Sequence, residues 1–441
     1  MSDQQIQQTL RLMGQPADAK LTPAIARELC QRTSSAAVLD GSIAQIGTQY
    51  LVTLKAVSCS SGELLASTEA QASDKNHVLD ALDKATSEIR NKLGESLSAV
   101  QKFDTPLEQA TTPSLEALQA YSLGRKASAA ADWVAAVPFF QRAIRLDPNF
   151  AMAYARLGTS YANIGESTLG AENTRKAYEL RGRVSERERF YIESHYHHLV
   201  IGNQESARES YELWAETYPR DWQPLPPLFV IYGVLGQYEK SLAEAREAFR
   251  LNPGSGMNAA NIVVSYLRLN RLEEARNAAK EAQAKKLDSP ELRDFLYQLA
   301  FLQNDAAGMA QQIAKTAGRP GFEDQLLNLE GDTVAYSGRL KDARELSRRA
   351  MDSAEGAAEK DPPAIYSATS GLREAWFGNT DEARRRVAFA LSRSAGRDVL
   401  YLAALALAYS REDARAQALT DDLGKRFPED TICLLYTSRC V

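Results

Sequence analysis

The 441-residue chain has only four cysteines and four histidines. Cys30, Cys59, Cys433 and Cys440 contain no C-x-x-C pair, so the signature of a zinc or dithiol redox site is missing. Isolated thiols are the favoured reading, and a Cys30–Cys59 disulfide stays open only for an oxidising compartment. No run of about 18 apolar residues occurs, so no membrane span is expected. The start, MSDQQIQQTLRLMG, lacks the basic and apolar regions of a secretory leader. Charge of one sign is not in excess: 52 Lys and Arg stand against 57 Asp and Glu, a net −5. That balance gives nucleic-acid binding no electrostatic support. The run Arg384-Arg385-Arg386 splays around a helix and reads as a solvated surface. Glycine and proline are modest and alanine is abundant, which favours long helices over disorder.

What is present is repetition. From Ser114 to Asp430 the same helical pattern recurs. The clearest unit runs from Ala117 to Pro148, with Leu123-Gly124 in its first helix and Ala136, Phe140 and Ala143 in its second. Leu157-Gly158 follows 34 residues after Leu123-Gly124, Ala177 follows 34 after Ala143, and Pro253 follows 34 after Pro219. Small residues let two helices approach, large ones fill the gap to the next pair, and Pro stops the second helix because it has no N–H to donate. One pair cannot bury its apolar face alone, so the pattern requires stacking. Beyond about Ala282 the consensus loosens. The expected array spans 114–430 with about eight helix pairs.

Residues 1–100 differ. Thr22-Pro23 opens a helix. Strand-like runs follow at Ala36 to Ile46, Tyr50 to Val57 and Glu63 to Ala72, separated by Gly-containing turns. Asp74 then caps a helix with Val78, Leu82, Ala85, Ile89 and Leu93 at helical spacing. This reads as a small, incomplete α/β module. Residues 101–113, with Pro106 and Pro113, form a linker. Residues 431–441 have no repeat character and are expected to be a non-native tail.

The Leu-Gly, Tyr, Ala, Phe, Ala, Pro spacing resembles the tetratricopeptide repeat family over about 70% of the chain. The resemblance implies a mainly α fold, a right-handed α-solenoid of helix pairs whose concave groove binds peptide segments. In the module, Leu39-Asp40-Gly41-Ser42-Ile43, Tyr50 to Val57 and Ser61-Gly62-Glu63 resemble the TolB amino-terminal-like module. The stretch from Leu93 through Val100 to Ala117 resembles the sensor region of acidobacterial-type bacterial serine/threonine receptor kinases. In that family a kinase domain and one membrane span come first; neither is in this sequence.

Motifs for chemistry are weak. Gly254-Ser255-Gly256-Met257-Asn258-Ala259 matches a dinucleotide pattern, but a helix end precedes it where a strand is needed. Arg293-Asp294-Phe295 lacks the histidine and downstream Asn of a kinase catalytic loop. No catalytic residue and no cofactor is expected. His195 and His198 stand at i, i+3, which suits two metal ligands, with Glu193 and Tyr191 able to assist. The same positions match the packing slots of Gly158 and Tyr161, and packing is the favoured reading. Tyr154, Asn163, Tyr191, Tyr232, Asn261 and Arg268 are the candidate peptide-groove residues, because first helices of such pairs face the concave side. The expected function is a non-catalytic scaffold or sensor region with a protein or peptide partner and no nucleic acid. The alternative is a fragment of a bacterial serine/threonine kinase, or of a regulator or cyclase, with its effector domain upstream. Location follows that choice: cytoplasmic by default, extracytoplasmic for a receptor kinase.

Overall fold

The computed structural model describes residues 6, 9–10, 13–16, 19–33, 35–95, 112–319, 322–357 and 359–431. Most of the 101–113 linker and the 432–441 tail lie outside them. A small α/β module precedes a tetratricopeptide-type α-solenoid.

The module begins with α1 (Pro23–Arg32), whose Thr22 side chain accepts from the Ile25 amide. Strands β1 (Ala37–Ile46), β2 (Gln49–Ser58) and β3 (Leu64–Ala72) form an antiparallel meander in the order β1-β2-β3. Gly47, at φ +65, makes the tight β1–β2 turn. Val52, Leu54 and Ala56 alternate with Ala66, Ala70 and Ala72 on one buried face. Helix α2 (Val78–Lys92) covers it with Val78, Ala81, Ala85 and Ile89. Asp74 accepts from the Asn76 amide at 2.8 Å and starts the turn that leads into α2. Cys30 and Cys59 are joined as a disulfide between α1 and the end of β2, with Cα atoms 5.7 Å apart. The sequence favours isolated thiols because the 29-residue separation conceals that α1 folds back onto the β2–β3 turn; Arg27 and Gln31 bind the Ser60 and Cys59 carbonyls there, each at 3.0 Å.

Among the described residues nine helix pairs follow in chain order. They are α3 (Leu115–Ala129) with α4 (Trp133–Leu146), α5 (Ala151–Asn163) with α6 (Ser167–Glu179), and α7 (Glu186–His195) with α8 (Gln204–Thr217). Next come α9 (Leu225–Val234) with α10 (Tyr238–Leu251), α11 (Gly256–Arg268) with α12 (Leu272–Ala284), and α13 (Pro290–Leu302) with α14 (Ala306–Thr316). The last are α15 (Glu323–Tyr336) with α16 (Leu340–Gly356), α17 (Asp361–Trp376) with α18 (Thr380–Arg393), and α19 (Arg397–Tyr409) with α20 (Asp413–Arg426).

The two helices of a pair touch closely where the sequence is small. A Cβ on Gly124 would stand 2.6 Å from the Phe140 ring, so Phe140 seats against bare backbone. The turn between the helices of every pair holds one residue at positive φ: Ala131, Gly165, Gly202, Gly236, Asn270, Asn304, Gly338, Gly378 and Arg411. From Gly202 to Gly338 these recur every 34 residues. The backbone therefore keeps register through the seventh pair, beyond the point where the helix consensus loosens.

The array also winds back on itself. Ala131, Trp133 and Ile164, from the first two pairs, cluster with Met257 of the fifth. Glu166, the residue before α6, accepts from the Lys360 amide at the start of α17. In return Asp361 of α17 accepts from the Thr168 amide in the first turn of α6, at 3.0 Å. Helix starts have amides with no partner of their own; here two of them are capped reciprocally across 193 residues of sequence. Further on, Thr431 gives its amide to the Gly202 carbonyl at 3.2 Å, and its hydroxyl accepts from the Gln204 amide at 3.0 Å.

Candidate partner-binding site

Between α5, α7, α9 and α11 lies a cavity of about 330 Å³, closed on one side by Trp133 of α4. Several local devices place its walls. Ser185 and Glu188 form a capping box that starts α7. Past His195 the helix widens into a π-helical turn, Tyr196–Ile201, which brings His198 and Leu199 into the lining. Asp221, 8% exposed, accepts from Trp214 Nε1 at 3.1 Å, from Arg187 Nε at 2.7 Å and from the Gln223 amide at 3.2 Å. That fixes the loop carrying Trp222 and Gln223 into the cavity. Pro226 and Pro227 sit in the first turn of α9, where no intrahelical N–H bond is lost.

The lining is aromatic and apolar with a few polar groups. Arg156 lies over the Tyr191 ring at 3.9 Å and donates to Gln223 Oε1. Thr159 and Tyr191 share a hydroxyl contact at 2.5 Å. His195 stacks on Tyr191 at 3.9 Å, and its Nδ1 meets the Tyr191 carbonyl at 2.8 Å. Burial, with the nearby Arg156 charge, pushes the His195 pKa down to about 3. Burial likewise brings His198 to about 4, with Nδ1 at 3.0 Å from Gln204 Oε1. Both rings are neutral near pH 7. Among the described residues no group of three His, Cys, Asp or Glu is placed to hold a metal ion.

Of the six groove candidates, Asn163, Tyr191 and Asn261 line this cavity, together with His195 and His198. Tyr154 packs against the aromatic core of the first four pairs. Tyr232 is 5% exposed and donates to Glu212. The Arg268 guanidinium lies over Phe229 at 5.5 Å, outside the cavity lining. Arg156, Trp133, Trp222, Gln223 and Met257 escape the sequence reading. Arg156 carries a signal: it precedes Thr159 and Asn163 by three and seven residues, on one helix face. The others come from loops and helix starts, which have no periodicity. The glycine-rich stretch is an inter-pair turn, with Ser255 accepting from the Asn258 amide at 3.1 Å to cap α11.

No protein-family model matches the chain. Tetratricopeptide repeat protein 16 of Macaca fascicularis is 37% identical over 70 residues, which is 16% of this chain and 8% of that protein. The human protein of the same name is 36% identical over 70 residues, with the same coverage. The chain thus aligns with less than a tenth of the length of these relatives. Among solved structures, a thermophilic TPR protein of Thermus thermophilus aligns at 18% identity and a TM-score of 0.32, covering 44% of this chain and 99% of that one. The APC/C hetero-tetramer Cut9-Hcn1 aligns at 13% identity and a TM-score of 0.37, covering 83% of this chain and 64% of that one. The fold rests on the helix pairing itself. No helix among the described residues is long and apolar enough to cross a membrane. The chain is a helical-pair solenoid, similar over a short stretch to tetratricopeptide repeat proteins.

Proposed function

We propose that this chain is a protein-interaction scaffold that takes a partner segment on the inner face of its first helices. The observation that carries this reading is the cavity between α5 and α11, where aromatic and proline walls surround a few polar side chains. Such a mixture suits a peptide: apolar surface supplies affinity and the polar groups fix the backbone. A non-catalytic role fits the absence of any recognised catalytic motif in the sequence. The test is photo-crosslinking with benzophenone attached at residue 163 or 261, which line the cavity, against one at residue 154, which does not. Partners captured from 163 and 261 but not from 154 support the reading. Equal capture from all three contradicts it.

A second reading concerns the parent gene. Its support is the sequence resemblance of the stretch from Leu93 to Ala117 to the receptor-kinase sensor region. Sequencing the DNA upstream of Met1 tests it: an in-frame membrane span and kinase motifs support it, and an unrelated gene refutes it.

A further inference from the structure

Several arginines of the array are paired with a carboxylate, and Arg156 is not. Arg187 is paired with Asp221, Arg344 with Glu374, Arg373 with Asp332 and Arg397 with Asp430. Arg156 has no carboxylate within ion-pair distance among the described residues, and its Nε is buried without a hydrogen-bond partner. Its contacts are the Tyr191 ring and the neutral amide of Gln223. Among the described residues it is also the only charged side chain in the cavity lining. A guanidinium left in apolar surroundings with an unused donor is costly unless an anion completes it.

The apolar walls stand on both sides of Arg156 in the order of the array. Trp133 comes from the first pair, Arg156 from the second, and Trp222, Pro226 and Met257 from the later ones. From this arrangement we infer that the cavity recognises an acidic side chain, Asp or Glu, flanked by apolar residues inside a partner peptide, with the carboxylate on Arg156. The inference rests on the inner-face reading above and sharpens it by naming the partner's chemistry. The carboxylate would accept from the terminal guanidinium N–H groups, and its apolar neighbours would lie against Trp133 and Pro226. The neutral state of His195 and His198 leaves the guanidinium as the sole cation for the anion to meet.

The experiment uses the full chain and three dodecapeptides studied by calorimetry, the first two blocked at both ends and the third at its amino end only. The first has a central Leu-Glu-Leu, the second Leu-Gln-Leu, and the third ends in Leu-Gln-Leu with a free carboxylate. The expected result is that the Glu peptide binds about tenfold to a hundredfold more tightly than the Gln peptide, the range for a hydrogen bond to a charged group. Arg156→Gln should abolish that preference while retaining weak binding of both internal peptides, and Arg156→Lys should restore part of it. Circular dichroism confirms the variants' folds, and the wild-type comparison stands even if both fail to fold. Equal binding of the Glu and Gln peptides overturns the acid preference but leaves the inner face as a binding surface. Preference for the free-carboxylate peptide alone overturns the side-chain assignment. Binding of none, with no change in Trp133 and Trp222 fluorescence, overturns both readings.

Discussion

The first four helix pairs and the last three solve the same packing problem with different residues. In the front, one continuous core joins Phe150, Tyr191, Tyr211, Trp214, Leu228 and Ile231. Tyr211 and Trp214 are essentially fully buried there. At the rear the core splits into smaller clusters of Ala, Val and Leu. The gap between helices is filled instead by buried polar groups. Arg373, 5% exposed, reaches Ser347 Oγ and Asn328 Oδ1, both at 3.1 Å, and Asp332 at 2.9 Å. Arg344 holds Glu374 with two bonds of 2.7 and 2.8 Å. The same backbone unit is thus stabilised by size in one half and by hydrogen-bond direction in the other. The two halves should break in different ways.

The largest effect is expected in front. Trp214→Ala removes a buried indole and the donor that steadies Asp221, and should cost about 3–5 kcal/mol. Hydrogen exchange should speed up in α7, α8 and α9 and stay unchanged in α17 to α20. At the rear, Arg344→Ala strands the Glu374 carboxylate and should cost about 3 kcal/mol. Adding Glu374→Gln should recover much of that loss, which a purely steric filler would not allow. Chemical denaturation of the three proteins, with exchange as a local readout, checks the pair.

These two cases also show how much the sequence could tell. The aromatic, Gly and Ala consensus made the front pairs readable, because volume is encoded residue by residue. Arg373 and Glu374 look like surface charges on an amphipathic helix until their partners on α15 and α16 are known. The 34-residue beat of the inter-helix turns from Gly202 to Gly338 falls on Gly and Asn alone, two residue types that also occur off the beat, so it stands out only once the turns are located. In the cavity, Asn163, Tyr191 and Asn261 lie on helices whose spacing gives their face. Trp222 and Gln223 depend on the Asp221 anchor, and Trp133 depends on the first pair folding over the fifth. Neither dependence has a local signature. The reciprocal caps of Glu166 and Asp361 are remote for the same reason.

A smaller, pH-dependent effect is expected where the array folds over. Burial, with Asp324 and Glu166 nearby, raises the Glu359 pKa to about 8. Burial, with Glu291 and Asp324, raises Asp294 to about 7. Protonated in the folded chain and ionised in the unfolded one, both groups withdraw stability as pH rises from the ordinary carboxylate range toward pH 8. The front helices carry the opposite dependence at lower pH, because His195 and His198, neutral in the folded chain, withdraw stability as pH falls below the ordinary histidine value of 6.5. Melting between about pH 7 and pH 9, above that range, should fall for the wild type and fall less for Glu359→Gln. The smallest effect belongs to the turns. Ala131 holds φ +56 without the freedom of glycine, so Ala131→Gly should stabilise the chain by about 1 kcal/mol. Gly236→Ala should destabilise it by a similar amount in melting experiments.

The central claim is that the helix pairs form one ribbon wound back on itself, with α6 and α17 capping each other. Residue-resolved hydrogen exchange at the Thr168 and Lys360 amides tests it most directly. First-turn amides exchange quickly when solvent is their only partner. Slow exchange at both, lost together in Glu166→Ala plus Asp361→Ala, is the predicted result. Fast exchange at both in the wild type would contradict the winding.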